Sequence, residues 1–264
     1  MAGWLKNKTL VVIGGTAGIG LAAASAFIRE EAQVLVVGND PDTFDTAART
    51  LGPKGHVLEG DATNELTAAR AIRQAIVEFG GFDGLYHVAG GSGRRFGDGP
   101  LDALTLDGWN ETFRRNLTGL MLSNQAAVRQ WQKQKTGGSL LNISSVLGYS
   151  PSPDFFSTHA YAAAKSAVIG FSQSLAAYYA RDGIRVNVLA PGLIETPMSQ
   201  RAATDPEIMA FIRTKQPLDG GRIGRPDDLT GAAVYLLSDY GRFTTGQVLA
   251  VDGGWTVSEG RKQS

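Results

Sequence analysis

The chain has 264 residues, with 25 basic and 25 acidic side chains and no cysteine. This length is enough for one globular unit with a sizeable core, and a formal charge of zero argues against a nucleic-acid-binding face or a polybasic membrane anchor. Without cysteine, disulfides, thiolate catalysis and cysteine-ligated zinc are excluded. The N-terminal segment lacks an apolar signal core, and no apolar run approaches the ~18 residues of a membrane span. We therefore expect a soluble, cytoplasmic protein with no metal site.

An apolar run over 9–14 leads into a cluster of glycines, and an alanine-rich segment follows. The run predicts a buried parallel strand, and the alanine-rich segment predicts a helix. Glycines at 14, 18 and 20 would let the backbone approach a pyrophosphate at the helix N-terminus, where free N–H groups favour an anion. The spacing differs from the usual G-x-G-x-x-G, so a tight turn that needs small residues is the alternative.

Strand and helix patterns then alternate along the chain. Further strands are predicted over 33–37, 56–59, 82–88, 139–143, 185–189 and 247–251. Helices are predicted over 41–51, 65–79, 104–135 with a break near Arg115, 160–180 and, as a pair, between 199 and 238. This alternation predicts an α/β fold with a three-layer, doubly wound, mostly parallel sheet of seven strands. We interpret residues 1–264 as one dinucleotide-binding and catalytic domain, with a substrate lid near 193–217.

Two irregular segments, 90–100 and 192–224, follow strand ends, where open α/β sheets bind ligands. Arg94 and Arg95 lie in the first of them. Arginine binds carboxylate or phosphate through parallel hydrogen bonds, so one of the two could recognise an anionic substrate group or a cofactor pyrophosphate. The alternative is that both are solvated or pair with Asp98 and Asp102.

Tyr161 and Lys165 lie four residues apart in a predicted helix, which places phenol and ammonium on one face. A free tyrosine has a pKa near ~10, and a neighbouring cation lowers that pKa by favouring the phenolate. The pair could therefore give or take a proton near neutral pH. A coincidental pair on a helix surface is the alternative.

A series of motifs resembles the short-chain dehydrogenase/reductase family over nearly the whole chain. The glycine segment is similar to T-G-x-x-x-G-I-G, with Ile13 in the threonine place, and HVAG at 87–90 resembles N-N-A-G with His87 and Val88 replacing both asparagines. His87 either donates one replacement hydrogen bond or is a satisfied core histidine. Further matches are Asp61 in GDAT, Asn116 in RRNLTG, Ser145 in NISSVLG, Tyr161 and Lys165 in Y-x-x-x-K, PGLIET at 191–196 and TGQVLAVDGG at 245–254.

The resemblance implies an NAD- or NADP-dependent oxidoreductase that transfers a hydride between nicotinamide and a secondary alcohol or ketone. Ser145 would hold the substrate oxygen, with Ser144 as the alternative, and Tyr161 would move the proton. Lys165 would lower the tyrosine pKa and bind the nicotinamide ribose, and Asn116 would anchor a water that links Lys165 to solvent. The implied cofactor-binding residues are Gly14, Thr16, Gly18, Ile19, Gly20, Asn39, Asp61, Ala62, Ala89, Gly90, Tyr161, Lys165, Pro191, Gly192, Ile194 and Thr196.

The residues after the second predicted strand bear on the choice between NAD and NADP. An acid there binds the ribose diol, and a base binds the 2′-phosphate. Gly38 holds the acid place and Asn39 its neighbour, so neither signal is present. Asp40 either reaches the ribose or starts a turn with Pro41. The missing cation disfavours NADP without deciding the preference.

Two other functions stay open from the sequence. The first is a 3-oxoacyl-carrier-protein reductase, which needs a basic docking face such as Arg129, Lys133 and Lys135. The second is a catalytically inactive nucleotide-binding sensor, against which the four matched catalytic positions argue. Helices 104–135 and 160–180 carry more apolar side chains than one sheet face can cover, and in the family such helices pair across a two-fold axis. We expect a homotetramer that acts on a small-molecule alcohol or carbonyl.

Overall fold

The computed structural model describes residues 3–260, so the predicted domain boundaries at 1 and 264 lie outside them. Seven parallel strands are present in this part of the chain: β1 (Thr9–Ile13), β2 (Gln33–Gly38), β3 (Gly55–Glu59), β4 (Gly84–His87), β5 (Gly138–Ile143), β6 (Ile184–Pro191) and β7 (Val248–Val251). Their order in the sheet is β3-β2-β1-β4-β5-β6-β7, and every pairing is parallel. The predicted seven-stranded Rossmann-type sheet is confirmed. Because the strand order reverses between β1 and β4, a crevice opens at their carboxyl ends.

Helices cover both faces of the sheet. They are α1 (Gly18–Arg29), α2 (Phe44–Leu51), α3 (Thr67–Phe79), α4 (Leu106–Phe113), α5 (Gly119–Gln134), α6 (His159–Tyr179), α7 (Gln200–Thr204), α8 (Pro206–Lys215) and α9 (Thr230–Leu237). Alternate residues of a strand point to opposite faces. In β1, Leu10 and Val12 pack with α1 and α9, whereas Val11 and Ile13 pack with α3 and α5. The result is three layers with a core on each side of the sheet.

The predicted helix over 104–135 is interrupted in a specific way. A π-helical turn, Arg114–Thr118, joins α4 to α5 without ending the helical path. The Asn116 side-chain amide donates to the Thr112 carbonyl at 2.9 Å, the oxygen that an α-helix reserves for the backbone N–H of residue 116. The break expected near Arg115 is therefore a π-bulge, which such a side-chain insertion explains.

The segment between 199 and 238 forms three helices, α7, α8 and α9, so the predicted pair is wrong. Asp205 separates α7 from α8, because its Oδ1 accepts the backbone N–H groups of Glu207 and Ile208 at 2.9 and 3.2 Å. Pro206 then occupies the first helical position, where no backbone N–H is needed. The Asp205 cap and Pro206 together stabilise the start of the new helix, α8.

A smaller apolar cluster joins this segment to the carboxyl end of the sheet. Its buried members are Val146, Ala202, Ile208, Ile212 and Trp255. Ile208 and Ile212 of α8 are thus part of the core, whereas Met198, which precedes α7, is 54% exposed. Within residues 3–260 no helix is long and apolar enough to cross a membrane.

Candidate active site

A cavity of about 680 Å³ lies at the carboxyl ends of the central strands. The glycine turn after β1 forms one end of its wall, and the first turns of α6 form the other. Segments 88–92, 143–147 and 191–194 lie between these two ends. The cavity thus occupies the crevice that the strand order predicts for a ligand.

The glycine turn packs closely against the backbone around it. Gly14 and Gly18 have φ of +85° and +52°, and a Cβ on Gly14 would lie 2.6 Å from the Ala89 nitrogen. A Cβ on Gly20 would collide with the Gly14 carbonyl. Helix α1 begins at Gly18 with no side-chain cap and no acidic residue in its first turn. Its first N–H groups are left for an anion, so this end fits a pyrophosphate.

The wall next to β2 and β3 carries Asp61, whose Oδ1 accepts the backbone N–H and hydroxyl of Thr63 at 2.8 and 2.9 Å. These bonds, the backbone one first, lower the pKa of Asp61, and the Arg114 charge adds to the effect. Ala62 and the exposed Asn39 line the same wall. An adenosine would meet a fixed carboxylate here.

The structure explains why β2 ends in glycine rather than an acidic residue at position 38. A Cβ on Gly38 would collide with the Thr16 side chain, which is buried against it. Only glycine therefore fits beneath Thr16. Asp40 caps the 3₁₀ turn Pro41–Thr43 by accepting the Asp42 N–H at 3.2 Å, and it also lines the cavity.

Helix α6 is held at its N-terminus by a residue of the 90–100 loop. Asp98 accepts the backbone N–H of Ala160 at Oδ1 and of Tyr161 at Oδ2, both at 3.0 Å. Its side chain is buried, with 5% of the residue exposed. A carboxylate at a helix N-terminus satisfies free N–H groups and complements the helix dipole. Asp98 thereby fixes the backbone that carries Tyr161.

We expect Asp98→Asn to lower both stability and turnover. The amide keeps one acceptor oxygen, so one of the two N–H groups is left unpaired and the negative charge is lost. A loss of about 1–2 kcal/mol in the free energy of unfolding follows. Urea unfolding of this variant and of Asp102→Asn, an exposed neighbour, measures it. Equal stability of the two variants would contradict the capping role.

Tyr161 and Lys165 lie together on the inner face of α6. The Lys165 Nζ is 5.5 Å from the centroid of the Tyr161 ring and donates to the Ile143 carbonyl at 3.2 Å. Lys165 is 3% exposed. Within residues 3–260 that carbonyl is the hydrogen-bond partner of Nζ, so two of its three N–H donors remain for a ligand.

The expected lowering of the Tyr161 pKa is not what the structure gives. Burial raises the pKa of Tyr161 to about 12, although the neighbouring Ser145 hydroxyl works in the opposite direction. Burial also lowers the pKa of Lys165 to about 8. The ammonium lies over the ring rather than beside the hydroxyl, so desolvation outweighs its attraction for the phenolate. The spacing in the sequence predicted the shared helix face, but it could not predict that burial would outweigh the effect of the lysine charge on the tyrosine pKa.

The two serines after β5 take different positions. The Ser144 hydroxyl is buried and donates to the Lys165 carbonyl at 2.6 Å, which ties it to the backbone of α6. The Ser145 hydroxyl accepts the Leu147 N–H at 3.2 Å and faces the Tyr161 phenol. Ser145 is therefore the serine whose oxygen can meet a substrate at Tyr161.

Asn116 lies behind Lys165. Its amide nitrogen donates to the Gly91 carbonyl at 2.8 Å, and its Oδ1 accepts the Gly91 N–H at 3.1 Å. A Cβ on Gly90 would lie 2.6 Å from Asn116 Oδ1 and 3.6 Å from Lys165 Nζ. Glycine at 90 thus leaves the space between amide and ammonium open, which is where a relay water would sit.

The wall after β6 faces the glycine turn. Ile194 is buried, and a Cβ on Gly18 would lie 3.4 Å from Thr196 Cγ2. Thr196 also starts the 3₁₀ turn Pro197–Ser199, where its N–H donates to the Ser199 hydroxyl at 2.9 Å. Pro191 ends β6, and Pro191 and Gly192 line the cavity.

Three residues of the site carried no sequence signal for their roles. Gln216, which is 2% exposed, accepts the Leu193 N–H at 2.5 Å and donates to the Leu193 carbonyl at 3.2 Å. Asp98 caps α6, and Arg201 of α7 lines the cavity. An isolated Gln, Asp or Arg in an irregular segment fits no motif, because its partner is far away in the chain.

His87 stands where the family pattern has an asparagine, and it is fully buried. Its Nε2 lies 3.1 Å from the Ala89 carbonyl and its Nδ1 2.8 Å from the Ser123 hydroxyl. A carbonyl can only accept, so Nε2 carries the proton. The single proton of the Ser123 hydroxyl then goes to Nδ1 in place of the Leu120 carbonyl, which lies 2.9 Å from the same hydroxyl. Burial, with a smaller effect of Lys165, lowers the pKa of His87 to about 3. His87 is both a satisfied core histidine and the replacement donor that joins the end of β4 to α5.

This pKa predicts an acid sensitivity. Between pH 6.5 and 3 the unfolded chain binds a proton that the folded chain does not, so stability is full above pH 6.5 and falls as the pH is lowered. The slope approaches about 1.4 kcal/mol per pH unit. In His87→Asn, which cannot be protonated, we expect the fall between pH 6.5 and 4.5 to be shallower. His159→Asn, at an exposed site, is the control, and parallel curves for wild type and His87→Asn would contradict the assignment.

Comparison with known proteins places these motifs in context. The family model described as enoyl-(acyl carrier protein) reductase matches residues 14–256. The chain is 35% identical to 2-(S)-hydroxypropyl-CoM dehydrogenase 3 of Xanthobacter autotrophicus, an alignment that covers 97% of this chain and 100% of the relative. It is 34% identical to cis-4-hydroxycyclohexanecarboxylate dehydrogenase of Sinomonas cyclohexanicum, covering 95% of this chain and 97% of the relative.

The fold has a solved counterpart of the same kind. A short-chain type dehydrogenase/reductase from Mycobacterium ulcerans superposes with a TM-score of 0.88 at 32% identity. The match covers 96% of this chain and 91% of that one. Sequence and architecture thus agree over nearly the whole length.

Proposed function

The chain belongs to the short-chain dehydrogenase/reductase family and is an oxidoreductase that acts on a CH–OH group, and we propose that Tyr161 moves the proton of this reaction. The observation that carries the proposal is the grouping of Tyr161, Ser145 and the buried Lys165 at one end of the cavity. The uncapped start of α1 forms the other end. A dinucleotide bound in this cavity would contact both the glycine turn and Tyr161, since both line it.

A nicotinamide, when bound, accepts a hydride from the alcohol carbon or returns one to the carbonyl carbon. The residues proposed to hold the dinucleotide are the glycine turn, Asp61 and Ala62, Ala89 and Gly90, Lys165, and the wall from Pro191 to Thr196. Each of these lies on the cavity or borders it. A nicotinamide cofactor therefore fits the residues present.

The proton is handled by the chain itself. Burial keeps Tyr161 protonated at neutral pH, which suits donation to a carbonyl oxygen held by Ser145. In the opposite direction Tyr161 takes the hydroxyl proton as the C–O bond becomes a carbonyl, and this requires the phenolate. Lys165 supplies the positive charge that stabilises the phenolate, and the open space at Gly90 leads from Lys165 to Asn116.

The residues at the end of β2 favour NAD, which lacks the 2′-phosphate, over NADP. Residues 38–40 carry no cation, and Asp40 places a carboxylate on the cavity wall. A carboxylate binds a ribose diol and repels a 2′-phosphate. We propose NAD as the preferred cofactor, which the ratio of kcat/KM for the two cofactors measures.

For the substrate we propose a secondary ring alcohol, since one relative is named for a hydroxycyclohexanecarboxylate. The test follows nicotinamide absorbance with cyclohexanol, 4-hydroxycyclohexanecarboxylate and its methyl ester, and with the matching ketones. A 3-oxoacyl thioester is included, because the family model carries an acyl-carrier-protein name and Arg129, Lys133 and Lys135 are exposed. Turnover of the 3-oxoacyl thioester alone, with none of the ring alcohols or ketones, would overturn the proposed ring-alcohol substrate.

The assembly proposed is a homotetramer, and the segment 193–217 is proposed to act as a lid. Large apolar side chains are exposed on α4, at Leu106 and Trp109, and near the C-terminal strand, at Phe243 and Leu249. Two separate apolar surfaces are what a tetramer with two kinds of interface needs. A light-scattering mass of one chain at micromolar concentration would refute the assembly.

A further inference from the structure

Two arginines from distant parts of the chain share one backbone carbonyl at the Tyr161 end of the cavity. Arg94, in the 3₁₀ turn Arg94–Phe96 that follows β4, donates from Nη2 to the Phe155 carbonyl at 3.2 Å. Arg201, in α7, donates from Nη2 to the same oxygen at 3.4 Å. Both line the cavity. The two guanidinium groups are therefore neighbours on the cavity wall.

A carboxylate offsets only part of their positive charge. In the part of the chain that the structure describes, neither arginine forms an ion pair. Asp98, which the sequence suggested as a partner, has both oxygens engaged by the N–H groups of α6. Partial burial and the charge of Arg201 lower the pKa of Arg94, with Asp98 opposing this. Two adjacent cations with one shared neutral acceptor form a site of net positive potential.

Within residues 3–260, most of their N–H donors have no partner and are available to a ligand. A guanidinium has five N–H donors in a planar fork, and each of these side chains uses one nitrogen on Phe155. A fork of this kind binds an oxyanion through parallel hydrogen bonds. We propose that Arg94 and Arg201 together bind a carboxylate of the substrate, so that the enzyme acts on hydroxy acids and their oxo acids. This inference rests on the proposed function of the same cavity.

The surroundings favour the substrate over the cofactor as the source of the anion. The Phe155 ring packs 5.1 Å from Phe211, in the apolar cluster around Trp255. The pyrophosphate end is formed by the start of α1, in a different part of the wall. Because Arg201 belongs to the proposed lid and Arg94 to the loop after β4, a bound carboxylate would also link these two segments.

The neighbouring arginine provides a matched control. Arg95 lies 4.9 Å from the centroid of the Phe96 ring and, within residues 3–260, its side chain makes no hydrogen bond to Phe155. Like Arg94 and Arg201, it is exposed and lines the cavity, so the three arginines differ in their bond to Phe155. Arg95→Gln therefore removes one positive charge from the same loop while both shared hydrogen bonds remain.

The experiment compares kcat/KM for 4-hydroxycyclohexanecarboxylate and for its neutral methyl ester. Arg94→Gln and Arg201→Gln should each lower kcat/KM for the carboxylate by about 10-fold or more and leave the ester within about 3-fold, since a hydrogen bond to a charged group is lost. Arg95→Gln should stay within about 3-fold on both. Equal losses on acid and ester, or no loss on either, would overturn the proposal.

A binding measurement separates this proposal from the assignment of the reaction. Cyclohexanecarboxylate, which has no hydroxyl to oxidise, should bind the wild type in the presence of NAD and weaken by about 10-fold in each arginine variant, whereas cyclohexanecarboxamide should bind all proteins alike. This result supports the carboxylate site even where no alcohol is turned over. Weaker NAD binding in Arg94→Gln or Arg201→Gln, with unchanged carboxylate affinity, would assign the pair to the cofactor and overturn the proposal.

Discussion

Tyr161→Phe is expected to lower kcat by about 10²–10⁴-fold, the usual contribution of a positioned acid or base. The phenyl ring keeps the packing of Tyr161 against Lys165, so the Kd for NAD and the free energy of unfolding should change little. Removing the hydroxyl leaves the Ser145 hydroxyl as the remaining group at the reacting oxygen, and an aliphatic hydroxyl is a much weaker acid than a phenol and a poor proton donor. Steady-state rates and NAD titration of the same preparation measure both effects.

The control for this variant is Tyr240→Phe, which removes the hydroxyl of an exposed tyrosine whose ring centroid lies 4.2 Å from that of Trp4, with the rings tilted. It should retain wild-type turnover. Turnover of Tyr161→Phe within a few-fold of wild type would remove Tyr161 from the proposed mechanism, whatever the substrate is.

Lys165→Met is expected to harm two functions at once. Turnover should fall by about 10²–10³-fold, because the phenolate loses its cation. The Kd for NAD should rise by about 10-fold or more, because the ammonium donors that remain for the ribose are lost. Lys133→Met, which removes an exposed ammonium from α5, is the matched control and should change neither quantity.

Stability should move in the opposite direction from activity in this variant. The folded pKa of Lys165 is about 8 against an ordinary 10.5, so the folded chain binds fewer protons than the unfolded chain between these values. Wild-type stability therefore gains a contribution as the pH rises from 8 to 10.5, and Lys165→Met should lack it. At pH 7 the variant should be as stable as wild type or more so, since a buried charge with one neutral partner is removed. A large loss of stability at pH 7 would show that Lys165 is structural.

The local motifs could be predicted from the sequence because each depends on neighbours in the chain. The run ending at Gly14 predicted β1, and the alanine-rich segment after the glycines predicted α1, which the structure begins at Gly18. The spacing of Tyr161 and Lys165 predicted a shared helix face, since helical geometry alone brings positions i and i+4 together. Alternating strands and helices predicted the parallel sheet because crossover connections leave few other arrangements.

Properties that depend on desolvation and on distant partners were decided by the tertiary structure. The pKa of Tyr161 rises because the folded chain buries the phenol, an effect that spacing along a helix cannot report. Gly38 is glycine because Thr16 packs on it, and Asp98 caps α6 across a long loop. Arg94 was a candidate from the sequence, but its partner Arg201 was not. The two residues are far apart in the chain and meet because β4 and β6, which they follow, end at the same edge of the sheet.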